Sequence, residues 1–283
     1  MRRGRILVVI PVHGGHDMTH ALLEDLRREA GLVDVTIVDN GQDYPPHGDE
    51  TVLRPGENLG WAAGTNFGTT ECLSDDHAAV VWLNNDTRLA TGFFAGLVGA
   101  WEETGAGLLG PLYDCYWQHQ RASRAVPVGS YRPRARHYAA PFVDGTCMFV
   151  PASTIEAIGV LDAETFAPVG YGADLDYAMR VRSAGMPVAV TRLAYLHHEK
   201  SMTAKKVFAG GLTEYGTRGY PVMEAGMTKK WGEDWRRHLG IDQATNQTRP
   251  TGWRKRMPAT PLAGVSELSA STRRWRRSPR SAR

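Results

Sequence analysis

The hydrophobic positions of this chain gather into short, β-branched runs that break off in polar clusters, with stretches of helical spacing between them. Ile6–Val12 is a near-continuous apolar run, the pattern of a central strand buried on both faces. It leads into Pro11-Val12-His13-Gly14-Gly15, a loop whose glycines let backbone approach a ligand closely. Met18, Leu22, Leu23 and Leu26 recur at helical offsets and predict a helix over Met18–Ala30. Asp34–Asn40, DVTIVDN, is a second strand that stops in Asp39 and Asn40. Strand, helix and strand in that order form a βαβ unit with a right-handed crossover.

The alternation continues through the chain. Val80–Thr87 reads VVWLNNDT: Val80 to Leu83 predicts a buried strand, and Asn84-Asn85-Asp86 marks its end, because a sheet interior cannot hold such groups unpaired. A helix over Gly92–Thr104 and an apolar stretch, Leu108–Pro111, follow. Residues 112–140 are rich in Tyr, Arg, Gln and His without a period, which predicts a long irregular segment of the functional kind. Phe142–Val150 (FVDGTCMFV) returns to strand character, and Ser153 is placed to cap a short helix ending at Gly159. A helix opening in GADLDY and running to Gly185, then a strand over Pro187–Leu196, complete the pattern. In 203–240, Met223, Met227, Trp231, Trp235 and Leu239 keep helical spacing and predict packing onto the domain or a partner. The fold class is α/β: a Rossmann-like, mostly parallel sheet flanked by helices, with a helical C-terminal region.

Composition adds limits. At 283 residues and 42% hydrophobic, the chain can bury a real core, and no apolar run is long enough to span a bilayer. The start, MRRGR followed by an apolar run, has the outline of a signal peptide. Pro11 interrupts that run and no small-residue cleavage site follows, so a first strand is expected. Cys72, Cys115 and Cys147 form no CxxC pattern, which fits a reduced, cytoplasmic protein. Residues 249–283 carry a net charge of +9 within a chain of +3, leaving −6 on the first 248. This Pro- and Ser-containing tail is expected to be disordered and solvated without a partner, weak contact with an anionic membrane surface being the alternative, and no nucleic-acid partner is expected.

Three polar clusters carry the candidate chemistry. Asp39 and Asn40 lie at the carboxyl end of a strand, where open α/β sheets bind ligands, and a carboxylate there suits a nucleobase or ribose. Asp86 could hold a hard divalent cation, which could hold phosphates; a turn and helix cap is the competing structural reading. Asp174 and Asp176 sit at a helix start, where capping accounts for one acid more readily than for two. His197 and His198 end a strand and offer a third point for a metal or catalytic site. Gly60, Gly64 and Gly68 share one helical face, with packing the expected role of Gly64 and Gly68. Neither G-x-G-x-x-G nor a P-loop motif is present.

The ordered set VVIPVHGG, IVDNG, NLGWAAGTNFG, VWLNNDT, VDGTCMFV, GADLDYAMRVRSAG and HHEKS resembles the family 2 glycosyltransferases, and within them the rhamnosyltransferase-like subgroup. The resemblance spans Ile6–Ser201 and implies a GT-A fold that moves a sugar from a UDP-, dTDP- or GDP-linked donor, with inversion, using Mn²⁺ or Mg²⁺. It implies a catalytic domain over 1–202, with nucleotide and acceptor halves meeting near residue 110, a C-terminal extension over 203–248 and the tail over 249–283. By the same resemblance Pro11, Val12, Asp39, Asn40, Asn58 and Gly64 would form the nucleoside pocket. Asn84-Asn85-Asp86 would stand in the place of the DXD motif, with Asp86 the principal metal ligand. Gly145 and Thr146 would border the donor sugar, and Asp174 would be the general base with Asp176 in support. His198, or else His197, would be the second metal ligand.

Two departures stand out. Ala173 replaces the first acid of the family's Glu-Asp pair, and Asn84 replaces the first Asp of DXD. They keep a degenerate, non-catalytic binding protein open as an alternative. A nucleotidyltransferase would want lysines for a triphosphate, and residues 1–60 contain none. Acceptor and oligomeric state are not written in these motifs.

Overall fold

A computed structural model describes residues 4–114, 116–122, 126–199 and 211–248, with backbone alone at 211–213 and 215. The basic tail and residues 203–210 of the extension lie outside the described residues, as does the tail's expected disorder. The elements, in order, are β1 (Arg5–Val12), α1 (His16–Arg27), β2 (Val33–Asp39), β3 (Thr51–Leu53), α2 (Gly60–Cys72), β4 (His77–Leu83), β5 (Thr87–Leu89) and α3 (Phe93–Thr104). After them come β6 (Leu108–Leu112), β7 (His137–Ala139), β8 (Cys147–Pro151), α4 (Ala152–Ile158), α5 (Ala173–Ser183) and β9 (Val188–His198). A long helix, Gly211–Trp231, a short helix, Trp235–His238, and a two-stranded hairpin, Ile241–Asp242 with Gln247–Thr248, close the described chain.

The strands form a central, largely parallel sheet in the order β3-β2-β1-β4-β8-β6-β9-β5, with β7 also on β9. It is parallel through β3-β2-β1-β4 and again between β6 and β9, and β8, β5 and β7 run antiparallel to their neighbours. Successive residues of a strand face opposite ways. In β1, Leu7 and Val9 therefore enter one core with Trp82, Tyr177, Met223 and Trp235. Ile6, Val8 and Ile10 enter the other, with Leu22 of α1 and Phe93 of α3. The C-terminal helices thus belong to the same core as α2 and α5. On α2, a Cβ at Gly68 would come within 2.6 Å of Val9 and 2.7 Å of Val38, so glycine lets this helix lie directly on β1 and β2.

Several local expectations change. Asp144-Gly145-Thr146 is a turn before β8 rather than part of a strand that begins at Phe142. Buried Phe142 and Val143 anchor that turn, which explains their strand-like sequence. Pro151, not Ser153, stands at the N-cap of α4, and Ser153 lies within the helix. Trp231 and Trp235 are on separate helices, because Gly232 turns left-handed at φ 78° between them. The irregular segment 112–140 contributes β7, and β9 extends through both histidines. Asn84-Asn85-Asp86 caps no helix: β5 follows it, and α3 starts from Gly92.

Candidate active site

The carboxyl ends of β1, β2 and β4 open onto a cavity of about 720 Å³, lined on its other sides by Tyr113, Asp114, Tyr116 and Trp117, the start of α5 and the C-terminal helices. Pro11, Asn40 and Asn58 line it together with the first turn of α2. Asn40 fixes that turn: its Nδ2 donates to the Gly60 carbonyl at 3.1 Å, and its Oδ1 accepts the Leu59 N–H at 3.2 Å. Asn58 Oδ1 accepts the Gly60 N–H at 2.9 Å.

Beyond the end of β4, Asn84, Asn85 and Asp86 all reach the cavity. Asn85 donates to Thr19 Oγ1 at 3.0 Å and to the Gly14 carbonyl at 3.3 Å, tying the first loop to the turn. Asp86 is buried, and its Oδ1 lies 3.1 Å from His198 Nε2. The register of β5 against β9 produces this pairing, because it sets Thr87 opposite His198 and Arg88 opposite His197. Neighbouring strand residues face opposite sides, so only His198 reaches the cavity. Burial works to lower the His198 imidazole, but its hydrogen bond and charge contact with Asp86, helped by Asp144 and Asp114, outweigh it and hold the group above its ordinary value.

Asp174, in the first turn of α5, also lines the cavity. Its Oδ2 accepts the Gly145 N–H at 3.0 Å and its Oδ1 the Leu175 N–H at 2.9 Å. Burial pushes this carboxyl up to about 7; the charge of Asp144 adds to the rise, and the backbone donors of Gly145, Leu175 and Asp174 itself work against it. Gly145 must be glycine for space, since a Cβ would come within 2.9 Å of the Trp61 ring. Thr146 donates from both its N–H and its hydroxyl to Asp144 Oδ1, at 2.9 and 2.7 Å.

Five expected residues do not line the cavity. Val12 is buried in the core beneath α1, and Gly64 packs α2 against Asn40 and Pro11. Asp39 is buried: its Oδ2 accepts the Tyr44 N–H at 3.0 Å and pairs with Arg54 at 3.1 Å, while its Oδ1 has no hydrogen-bond partner. His197 turns to Asp114, 3.6 Å away, and Glu199, 3.5 Å away. Asp176 is wholly buried and neither caps α5 nor faces the cavity. Its oxygens bind Arg180 at 2.9 Å, Trp231 Nε1 at 2.9 Å and Lys230 at 2.8 Å, which fastens α5 to the long C-terminal helix.

Other residues join the site without having been expected there. Asp144 places a further carboxylate in the cavity beside Asp86 and Asp174, a position hidden while its segment read as a strand. His13 Nδ1, Trp61 Nε1 and Asn84 Oδ1 are buried atoms without a hydrogen-bond partner, and all three residues line the cavity. Such atoms are costly to bury unless a ligand or water satisfies them.

The residues present fit a divalent cation. Among the described residues no group of three or more His, Cys, Asp or Glu is arranged as a metal site, so the protein's share would be the pair Asp86 and His198. Among the described residues, Asp86, Asp114, Asp144 and Asp174 line the cavity against a single arginine, Arg218. A diphosphate among four carboxylates needs added positive charge, and one carboxylate with one imidazole leaves room for phosphate oxygens on the ion.

A mixed sheet with a polar carboxyl edge thus brings a carboxylate–histidine pair and further acids to one cavity. Residues 7–159 match the sequence profile of Glycosyl transferase family 2, and the chain belongs to that family. Uncharacterized proteins of Mycobacterium tuberculosis and Mycobacterium bovis are 36% identical over 255 residues, covering 90% of this chain and 95% of theirs. Among solved structures, GalNAc-T7 with UDP, GalNAc and Mn²⁺ aligns at TM-score 0.53 and 11% identity, over 83% of this chain and 58% of its own. The mannosyltransferase PcManGT of Pyrobaculum calidifontis, in complex with GDP-Man and Mn²⁺, aligns at 0.52 and 13%, over 83% and 72%. S. aureus TarS aligns at 0.50 and 13%, over 68% and 60%. These likenesses show the GT-A fold.

Proposed function

We propose that the chain moves a hexosyl or deoxyhexosyl group from a UDP-, dTDP- or GDP-linked donor to an acceptor hydroxyl or amine, with inversion, in one displacement. One observation carries this reading: Asp174, a carboxyl poised near 7, faces the cavity that also holds Asp86 against His198. The ordered motifs favour the rhamnosyltransferase-like subgroup, and the absence of a CxxC pattern favours a cytoplasmic enzyme.

In this reading Pro11, Asn40 and Asn58 border the nucleoside, Asn84 and Asn85 shape the wall beside the diphosphate, and Gly145 and Thr146 flank the donor sugar. Asp86 and His198 would hold Mn²⁺ or Mg²⁺, which offsets the charge that builds on the leaving diphosphate. Asp174 takes the proton of the acceptor hydroxyl. A base with a pKa near the working pH combines a useful ionised fraction with a strong pull on the proton. The two backbone donors fix the plane of the carboxylate while each oxygen keeps a lone pair for substrate.

A thermal-shift panel of nucleotide sugars with and without Mn²⁺, followed by an assay for released nucleoside diphosphate, tests the proposal. The expected result is stabilisation by one base class and slow diphosphate release at saturation. Stabilisation without any release would make this a binding protein, and no stabilisation by any nucleotide would end the reading.

A further inference from the structure

We propose that the mouth of the cavity is an acceptor subsite for a neutral saccharide, which stacks against Tyr116 and Tyr220 and turns a hydroxyl toward Asp174. The inference rests on the transferase reading and names its acceptor class.

Among the described residues, Tyr116 and Tyr220 are the exposed large hydrophobic side chains, at 50% and 46%, and both line the cavity. They come from distant segments. Tyr116 packs edge-on to Trp117, 5.1 Å between ring centres, and Trp117 in turn packs on buried Phe142 at 4.9 Å. The Tyr116 hydroxyl donates to the Asn246 carbonyl of the C-terminal hairpin at 3.1 Å. Tyr220 meets Tyr171 edge-on at 5.3 Å, and Tyr171 lies three positions before Asp174. A Cβ at Gly219 would come within 2.5 Å of the Tyr171 ring, so glycine lets the long helix close over it. The rings are thus held in place before any ligand arrives, which lowers the ordering cost of binding.

The chemistry of the mouth selects among acceptors. Aromatic faces carry negative charge and attract the weakly positive C–H face of a pyranose ring, whose hydroxyls stay free at its edge. Tyrosine rings also keep a polar tip in water, unlike the aliphatic wall that a long hydrocarbon chain needs. An anionic acceptor would meet the carboxylates of Asp114, Asp144 and Asp174, and Arg218 is engaged with Glu214 at 2.6 Å. A neutral sugar satisfies each of these conditions.

Saturation-transfer NMR on the full chain tests this with three probes: a set of methyl glycosides, hexanol, and dodecyl phosphate. A nucleoside diphosphate is titrated in parallel by thermal shift. The expected result is binding of at least one methyl glycoside, weakened about fivefold or more by Tyr220→Ala and by Tyr116→Ala. Tyr220→Phe, which keeps the ring, should retain it, and nucleotide stabilisation should persist in all three variants. Glycosides that fail to bind, or that bind equally to both alanine variants, overturn the subsite, as does preference for hexanol or dodecyl phosphate. Glycoside binding through the tyrosines without any nucleotide binding would keep the saccharide subsite and end the transferase reading instead.

Discussion

His198 Nε2 lies 3.1 Å from Asp86 Oδ1, although 112 positions separate the two residues in the chain. Strand pairing between β5 and β9 makes the contact, and burial of both side chains protects it from screening by salt. If the pair holds a cation, nucleoside diphosphate affinity should rise when Mn²⁺ or Mg²⁺ is added. Asp86→Ala should abolish that gain, and His198→Ala should reduce it about tenfold or more. Calorimetry with and without metal reads the difference directly, and equal affinities in the parent protein would remove the metal from the account.

Asp174 gives a pH signature. A base poised near 7 is active only when ionised, so turnover should climb as pH rises through about 7. Asp174→Asn keeps the shape but cannot take the proton. Turnover should fall by about 100-fold or more while nucleotide affinity stays nearly constant.

The same shift has an opposite effect on stability. A carboxyl whose folded pKa is raised stabilises the fold fully below the ordinary carboxylate range, and that contribution is lost as pH rises through about 7. At pH 8.5 the parent protein carries the cost of a buried ionised group, whereas Asn at 174 gives up one of the two backbone N–H bonds at every pH. The melting temperature of Asp174→Asn relative to the parent should therefore rise between pH 5 and pH 8.5, on the order of a few degrees. A difference that stays constant between the two pH values would contradict the burial-driven rise.

Asp176 predicts a loss of a different kind. It is fully buried with Arg180, Lys230 and Trp231 around it, so Asp176→Ala leaves buried donors and charge unmatched. Removing one member of a buried ionic network costs about 3 kcal/mol or more, read as a lower urea midpoint. Turnover per folded molecule should change far less than in Asp174→Asn.

Much of this arrangement was legible in the sequence. Strand ends are visible as apolar runs that stop in Asn or Asp, which put Asn40 and Asp86 at one sheet edge. Asp174 was marked by its helix start. What the sequence could not show is long-range partnership. The choice between His197 and His198 is a matter of strand parity, set by a three-residue strand, Thr87–Leu89, too short to recognise. Nothing local to Asp39 reveals that Arg54 closes on its Oδ2. Asp176 and Asp174 are two residues apart in the same acidic turn, and only the return of Trp231 and Lys230 from the far end of the chain separates structural acid from cavity acid. Asp144 was masked by buried Phe142 and Val143, whose strand-like character belongs to the anchor of a turn.

The anomeric configuration of the first product tests the central claim most directly. With the donor class found in the thermal-shift panel and Mn²⁺ present, transfer to water releases a free sugar whose anomer can be read by ¹H NMR before it equilibrates. Single displacement with Asp174 as base predicts the anomer opposite to that of the donor, and loss of the signal in Asp174→Asn. A sugar released with the donor's own configuration would contradict the account.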